Sequence, residues 1–195
     1  MYQLKELANG IRIVHQEITH TRLVHCGFIL NIGSRDEDKE QEGLAHFWEH
    51  MAFKGTHKRK TFHIINRLES LGGELNAYTT KEKVCFYASV LKDHYPKAAE
   101  LLFDITFNST FPEKQIEKER QVILEEMAMY RDSPDDSIQD DLDALVFANH
   151  ALGRNILGTE ETVSRFTQQD FFDFISTHLD KIGRASCRER VCEAV

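Results

Sequence analysis

Apolar positions change period as the chain proceeds. Before residue 33 and again over 74–91 they come in short alternating or continuous stretches, as in Leu23-Val24 and Phe28-Ile29-Leu30. This texture predicts strands over 2–6, 11–17, 23–32, 74–80 and 84–91, with Asn9-Gly10 as the turn of a first hairpin. Elsewhere apolar residues recur every three or four positions, predicting helices over 42–53, 61–71, 94–108, 113–131, 135–147 and 168–178, and a short one over 160–166. Gly72-Gly73 breaks the second of these, and at 132–136 Asp132 or Ser133 caps a new helix with Pro134 in its first turn. Strands gather early and helices late. That segregation predicts an α+β fold, a largely antiparallel sheet with helices packed on one face.

Two of the helices carry chemistry their amphipathic pattern does not need. In the first, His46, Glu49 and His50 lie on one side, because an advance of about 100° per residue puts Glu49 near −60° and His50 near +40° of His46. Two neutral imidazoles suit zinc, and a carboxylate beside the metal that does not bind it can accept a proton from water, as in H-x-x-E-H zinc hydrolases. With ten histidines in 195 residues such a pentapeptide arises by accident in roughly one chain in twenty. A catalytic zinc also takes a third protein ligand. The helix over 113–131 offers one. With Glu126 as the origin, Val122, Tyr130, Ile123 and Ile116 fall within about 80° of it and Glu119 near +20°, so Glu119 and Glu126 interrupt the apolar stripe. Glu117 and Glu125 point to the solvent side or the flank. Carboxylates in a buried stripe require a partner cation.

Taken together, residues 7–14, Gly33-Ser34-Arg35, the 46–56 block, 72–80, 119–126, 132–136 and 158–160 resemble the N-terminal half of the pitrilysin/insulinase family of zinc metallopeptidases, which includes the processing peptidases and their bacterial relatives. The resemblance implies a metallopeptidase half-domain of that type, with zinc held by His46, His50 and Glu126 and with Glu49 as general base. It implies that Glu119 is an auxiliary acid beside the metal, and that Asn76 and Ala77 lie on a sheet edge where a peptide substrate docks as an added strand. It also implies a homologous C-terminal half or partner subunit, supplying an Arg and Tyr pair at the reaction centre. The 195-residue chain alone is therefore expected to bind metal but to cleave peptides poorly.

Composition narrows the remaining choices. A chain of 195 residues supports a single core. Its formal charge of −8 comes without a basic block, so no nucleic-acid or anionic-membrane surface is expected. No apolar run reaches the roughly 20 residues of a membrane span, and the first residues resemble neither a signal peptide nor a presequence, so the expected location is cytoplasmic. Cys26 and Cys85 sit in apolar strand-like runs and read as reduced core thiols. Residues 1–181 read as a truncated zinc-binding peptidase half. Residues 182–195, with Cys187 and Cys192, show no period and resemble the translation of a sequencing adapter, so a non-native or disordered tail is expected there. Two enzymes and one non-enzyme compete. A zinc-dependent endopeptidase uses every residue named. A S-ribosylhomocysteine lyase-like hydrolase shares the H-x-x-E-H helix but completes its site with cysteine. A catalytically silent subunit or zinc-stabilised binding module would keep the fold without the reaction.

Overall fold

A computed structural model of the chain describes residues 2–179 and 190–194. The strands are β1 (Gln3–Glu6), β2 (Arg12–His15), β3 (Leu23–Leu30), β4 (Glu74–Thr79), β5 (Val84–Leu91) and β6 (Arg190–Ala194). They form one six-stranded sheet in the order β1-β2-β6-β3-β5-β4, antiparallel except for the parallel β2/β6 pair. The helices are α1 (Leu44–Ala52), α2 (Thr61–Glu69), α3 (Tyr95–Phe107), α4 (Glu113–Asp132), α5 (Pro134–Val146), α6 (Glu160–Arg165) and α7 (Gln168–Leu179). Every element expected from the pattern is present, most of them shifted by one or two residues. The tail expected over 182–195 falls outside the described residues at 182–189 and 195, and the backbone of Arg190–Ala194 runs between β2 and β3.

Register explains which face the helices cover. Cys26 pairs with Ala88 and Phe28 with Phe86, so the buried Val84, Phe86, Ala88 and Val90 of β5 project with Cys26 and Leu30 to one side. α1 packs on that side against β4 and β5, with α4 and α7 beside it. Trp48 is fully buried, its ring 5.7 Å from that of Phe86 and 6.4 Å from that of Phe174, and Phe47 meets Phe171 edge-on at 5.2 Å. Cys26 and Cys85 are both buried in the sheet.

Two local departures from the sequence pattern have clear causes. The first helix starts at Leu44 rather than 42, because Gly43 takes a left-handed φ of 93° and the chain ahead of it is coiled into two short 3-10 turns, Ser34–Asp36 and Lys39–Gln41. A side chain at Gly43 would also run into the Leu157 carbonyl. Ser133 does occupy the N-cap of α5, but its hydroxyl makes no capping bond. Among the described residues, no helix is long and apolar enough to cross a membrane.

Candidate metal centre

α1 presents its polar residues at the rim of an otherwise sealed helix. Leu44, Ala45, Phe47, Trp48, Met51 and Ala52 are fully buried, which leaves His46, Glu49 and His50 to face the one side that α4 approaches. On α4 the buried stripe is Ile116, Glu119, Arg120, Ile123 and Met127. This corrects the expected face: Val122 and Tyr130 are 45% and 40% exposed, and Glu126 stands at the margin of the stripe rather than at its centre. The reason is Arg120, which the apolar pattern cannot reveal. Its guanidinium is buried by donating to the Val163 and Phe166 carbonyls and to Glu117, and it rotates the helix toward α6. Being marginal, Glu126 looks across an open cleft at the histidines.

Three acceptor-bearing side chains converge there. His46 Nε2 lies 3.7 Å and His50 Nε2 3.6 Å from Glu126 Oε2, and the candidate ligand atoms of all three residues lie within 4.8 Å of one another. These distances are too long for hydrogen bonds. They are close to the separation of about 3.3 Å between neighbouring ligands of a tetrahedral zinc with bonds of 2.0–2.1 Å. Among the described residues no other group of His, Cys, Asp or Glu is arranged for a metal, and no cysteine joins this one.

The protonation states suit a cation. Burial, helped by the neighbouring His50, lowers the His46 pKa from 6.5 to about 3, so its imidazole is neutral. His50 Nδ1 lies 3.2 Å from Glu119 Oε2, and Lys54 Nζ lies 2.7 Å from Glu119 Oε1. Burial works against ionisation of Glu119, but the hydrogen bonds from His50 and Lys54 and the Lys54 charge outweigh it and hold its pKa below the usual range. An ionised carboxylate only accepts, so His50 donates from Nδ1 and turns Nε2 toward Glu126, where the neutral ring carries its lone pair. Burial raises the pKa of Glu126, with the His50 charge acting the other way. Two imidazoles and a carboxylate directed at one point are a donor set that suits zinc.

Glu49 stands beside this point without joining the cluster. Its Oε2 accepts a 2.5 Å hydrogen bond from Thr79 Oγ1 on β4. Burial raises the Glu49 pKa, Thr79 and His50 oppose the shift, and the Glu126 charge adds to it. A carboxylate tuned upward is a better proton acceptor near neutral pH.

β4 ends the sheet and borders the same cleft. The Thr80 amide bonds to the Lys83 carbonyl at 2.8 Å, and antiparallel alternation from that pair turns the main-chain groups of Leu75, Ala77 and Thr79 to the open edge. The Ala77 amide meets only the side chain of its neighbour there, Asn76 Oδ1, at 2.8 Å. Of the supporting residues, Lys54 and Thr79 received no role from the sequence pattern. Strand parity could have found Thr79, which shares the inward face of β4 with Leu75 and Ala77. Nothing local marks Lys54, whose partner is 65 positions away.

The profile of the family described as Insulinase (Peptidase family M16) matches residues 12–160. A Rickettsia felis protein described as an uncharacterized zinc protease is 41% identical over 177 residues, covering 91% of this chain and 43% of its own. The beta subunit of the mitochondrial-processing peptidase of Bos taurus is 41% identical over 174 residues, 88% of this chain and 35% of that one. A solved protease structure from Helicobacter pylori superposes with a TM-score of 0.90 at 21% identity, over 100% of this chain and 46% of the other. The chain thus spans less than half the length of these relatives.

Proposed function

Because this chain belongs to the insulinase family of peptidases, M16, we propose that it is the metal-binding half of a zinc-dependent endopeptidase. His46, His50 and Glu126 hold the zinc, and Glu49 is the general base. The observation that supports this reading is the pair of 3.6–3.7 Å separations between imidazole nitrogens and Glu126 Oε2, longer than hydrogen bonds and suited to ligands of one ion. When bound, zinc would polarise a peptide carbonyl and lower the pKa of water toward about 7.

The side chains do the rest. Glu49 Oε1 takes the proton of the attacking water and returns it to the departing amine, while Thr79 holds Oε2 and so fixes the carboxylate plane. Glu119 fixes the His50 tautomer, and Lys54 keeps Glu119 charged. A substrate segment adds as a strand to the outer edge of β4, where the Ala77 amide exchanges the Asn76 side chain for a peptide carbonyl. Main-chain pairing binds many sequences alike, so peptides or unfolded segments are the substrate class. The remaining length of the relatives accommodates a second, homologous half that covers the cleft, and turnover depends on it.

The test is zinc binding and chelator-sensitive peptide hydrolysis by the chain alone and by a full-length protein that contains it. Tight binding by both, with efficient cleavage by the longer protein only, is expected. Failure of the chain to bind zinc would overturn the assignment.

A further inference from the structure

The buried carboxylate of Glu37 has no part in the reaction just described, yet it is only 4% exposed and lies in the coiled segment leading to α1. Its Oε2 accepts from the Gly43 amide at 2.9 Å and its Oε1 from the Ala45 amide at 2.7 Å. These are donors at the start of α1, where Gly43 provides no capping side chain and the first turn holds no acidic residue. Glu37 thus supplies from outside the helix the cap that the helix lacks.

The segment bearing Glu37 is itself tied down from the far end of the chain. Arg154 Nη1 donates to the Glu37 carbonyl at 2.6 Å, and its Nε lies 3.3 Å from Glu42 Oε1. Thr162 Oγ1 donates to the Glu42 carbonyl at 2.6 Å, and Gly158 packs so closely on Glu42 and Gly43 that it has no room for a side chain.

What this clamp serves follows from the contrast between the two histidines. His50 is oriented by Glu119, whereas His46 Nδ1 is buried without a hydrogen-bond partner. No side chain aims the His46 ring by a bond, so its direction depends on the backbone of the first turn, and the residue before it is Ala45, whose amide Glu37 holds.

We propose that Glu37, braced by Arg154, is the positioning residue for His46, setting the first helical turn so that Nε2 meets the metal. The inference rests on the zinc assignment above. Burial pushes the Glu37 carboxyl up to about 8 against the two backbone donors and Arg154; protonated, it keeps one good acceptor oxygen, and ionised it offers both.

The experiment measures Zn2+ affinity by chelator competition, and the visible spectrum of the Co2+-loaded chain, for wild type, Glu37→Gln, Arg154→Met and Leu101→Ala. Leu101 is buried in α3, which packs chiefly on β3, β5 and α2, and it belongs to neither the Glu37 segment nor its partners, so its truncation lowers stability without removing a bond of the clamp. Glu37→Gln turns an amide N–H toward a backbone N–H. It is expected to weaken Zn2+ binding by about 10–100-fold, the range for residues that orient ligands, and to shift the Co2+ bands. Arg154→Met should move both in the same direction by less, and Glu37→Asp should recover part of the loss. Leu101→Ala should lower Tm and leave affinity and spectrum unchanged. Should Glu37→Gln not fold, Arg154→Met decides alone. Zn2+ affinity of the folded variants within twofold of wild type, or an equal loss in Leu101→Ala, would overturn the positioning role. Absence of Zn2+ binding by wild type would instead overturn the metal assignment on which it stands.

Discussion

The two helices that meet at the candidate metal centre are held in opposite ways. α1 buries seven of its nine residues, so its histidines are placed by the aromatic core beneath them and by the clamp at its start. α4 buries five of twenty, and Glu126 reaches the centre from the open margin of a solvated helix. One side of the site is therefore a surface held rigidly from beneath. The other is a charged side chain with room to adjust. The difference teaches that the proposed ligand set has a preorganised half and an adaptable half, and that substitutions on the two should not cost alike.

The largest effect expected belongs to the rigid side. Glu49→Gln keeps the shape and a partner for Thr79 but removes the base. In a full-length protein it should lower kcat by about 10²–10⁴-fold while Zn2+ stays bound within a few fold. Comparable loss of metal and activity would make Glu49 a ligand and break the division of roles.

Removing ligands comes next and separates the helices directly. His46→Ala and Glu126→Gln should each weaken Zn2+ by more than the roughly 100-fold upper figure for residues that merely orient ligands. They should differ without metal. His46→Ala empties a buried site and lowers the Tm of the metal-free chain. Glu126→Gln removes a charge that faces two lone pairs and should leave that Tm unchanged or higher. Equal Tm losses would mean that the two sides are built alike.

Lys54→Met has a smaller reach. Glu119 loses the cation that keeps it ionised, and Zn2+ affinity should fall by about tenfold, toward the lower figure for such partners. An unchanged affinity would show that Glu119 needs no help to orient His50.

The smallest effect, counted per unit of pH, is a stability slope in the metal-free chain. Folded His46 stays neutral down to about 3 while the unfolded side chain protonates near 6.5. The unfolded state then holds more protons across that window, so stability falls as pH drops from 6.5 to 3, by at most about 1.4 kcal/mol per unit. Glu37, raised from 4.5 to about 8, acts with the opposite sign: the folded state holds the extra proton, and stability falls as pH rises from 4.5 to 8. Chemical denaturation across pH should show the first slope vanish in His46→Asn and the second in Glu37→Gln. Retention of either slope in its own variant would refute the corresponding shift.

The order and type of the elements followed from the period of apolar residues, since burial on a helix or strand face imposes that period on any chain that folds this way. His46, Glu49 and His50 could be grouped from the sequence because one helix carries all three and its geometry is fixed. Glu126 was chosen from an apolar stripe whose centre proved to lie elsewhere. The choice reached a residue that does face the histidines, yet the stripe had been displaced by Arg120, a charged residue that the α6 carbonyls make at home in the core. Where helix boundaries differed, as at Gly43, the cause was a left-handed backbone turn, at a position where the Leu157 carbonyl, more than a hundred residues away, leaves no room for a side chain.

By itself, then, the sequence determined an α+β chain with a zinc-suited helix and a second, acidic helix able to complete it, because those properties follow from local geometry and composition. Tertiary structure alone decided which face of α4 turns toward α1, that Thr79 steadies Glu49, that Lys54 supports Glu119, and that Glu37 and Arg154 fix the first turn before His46. Each of these joins segments far apart in the chain, and no local period records which distant polar groups a fold will bring within hydrogen-bond reach.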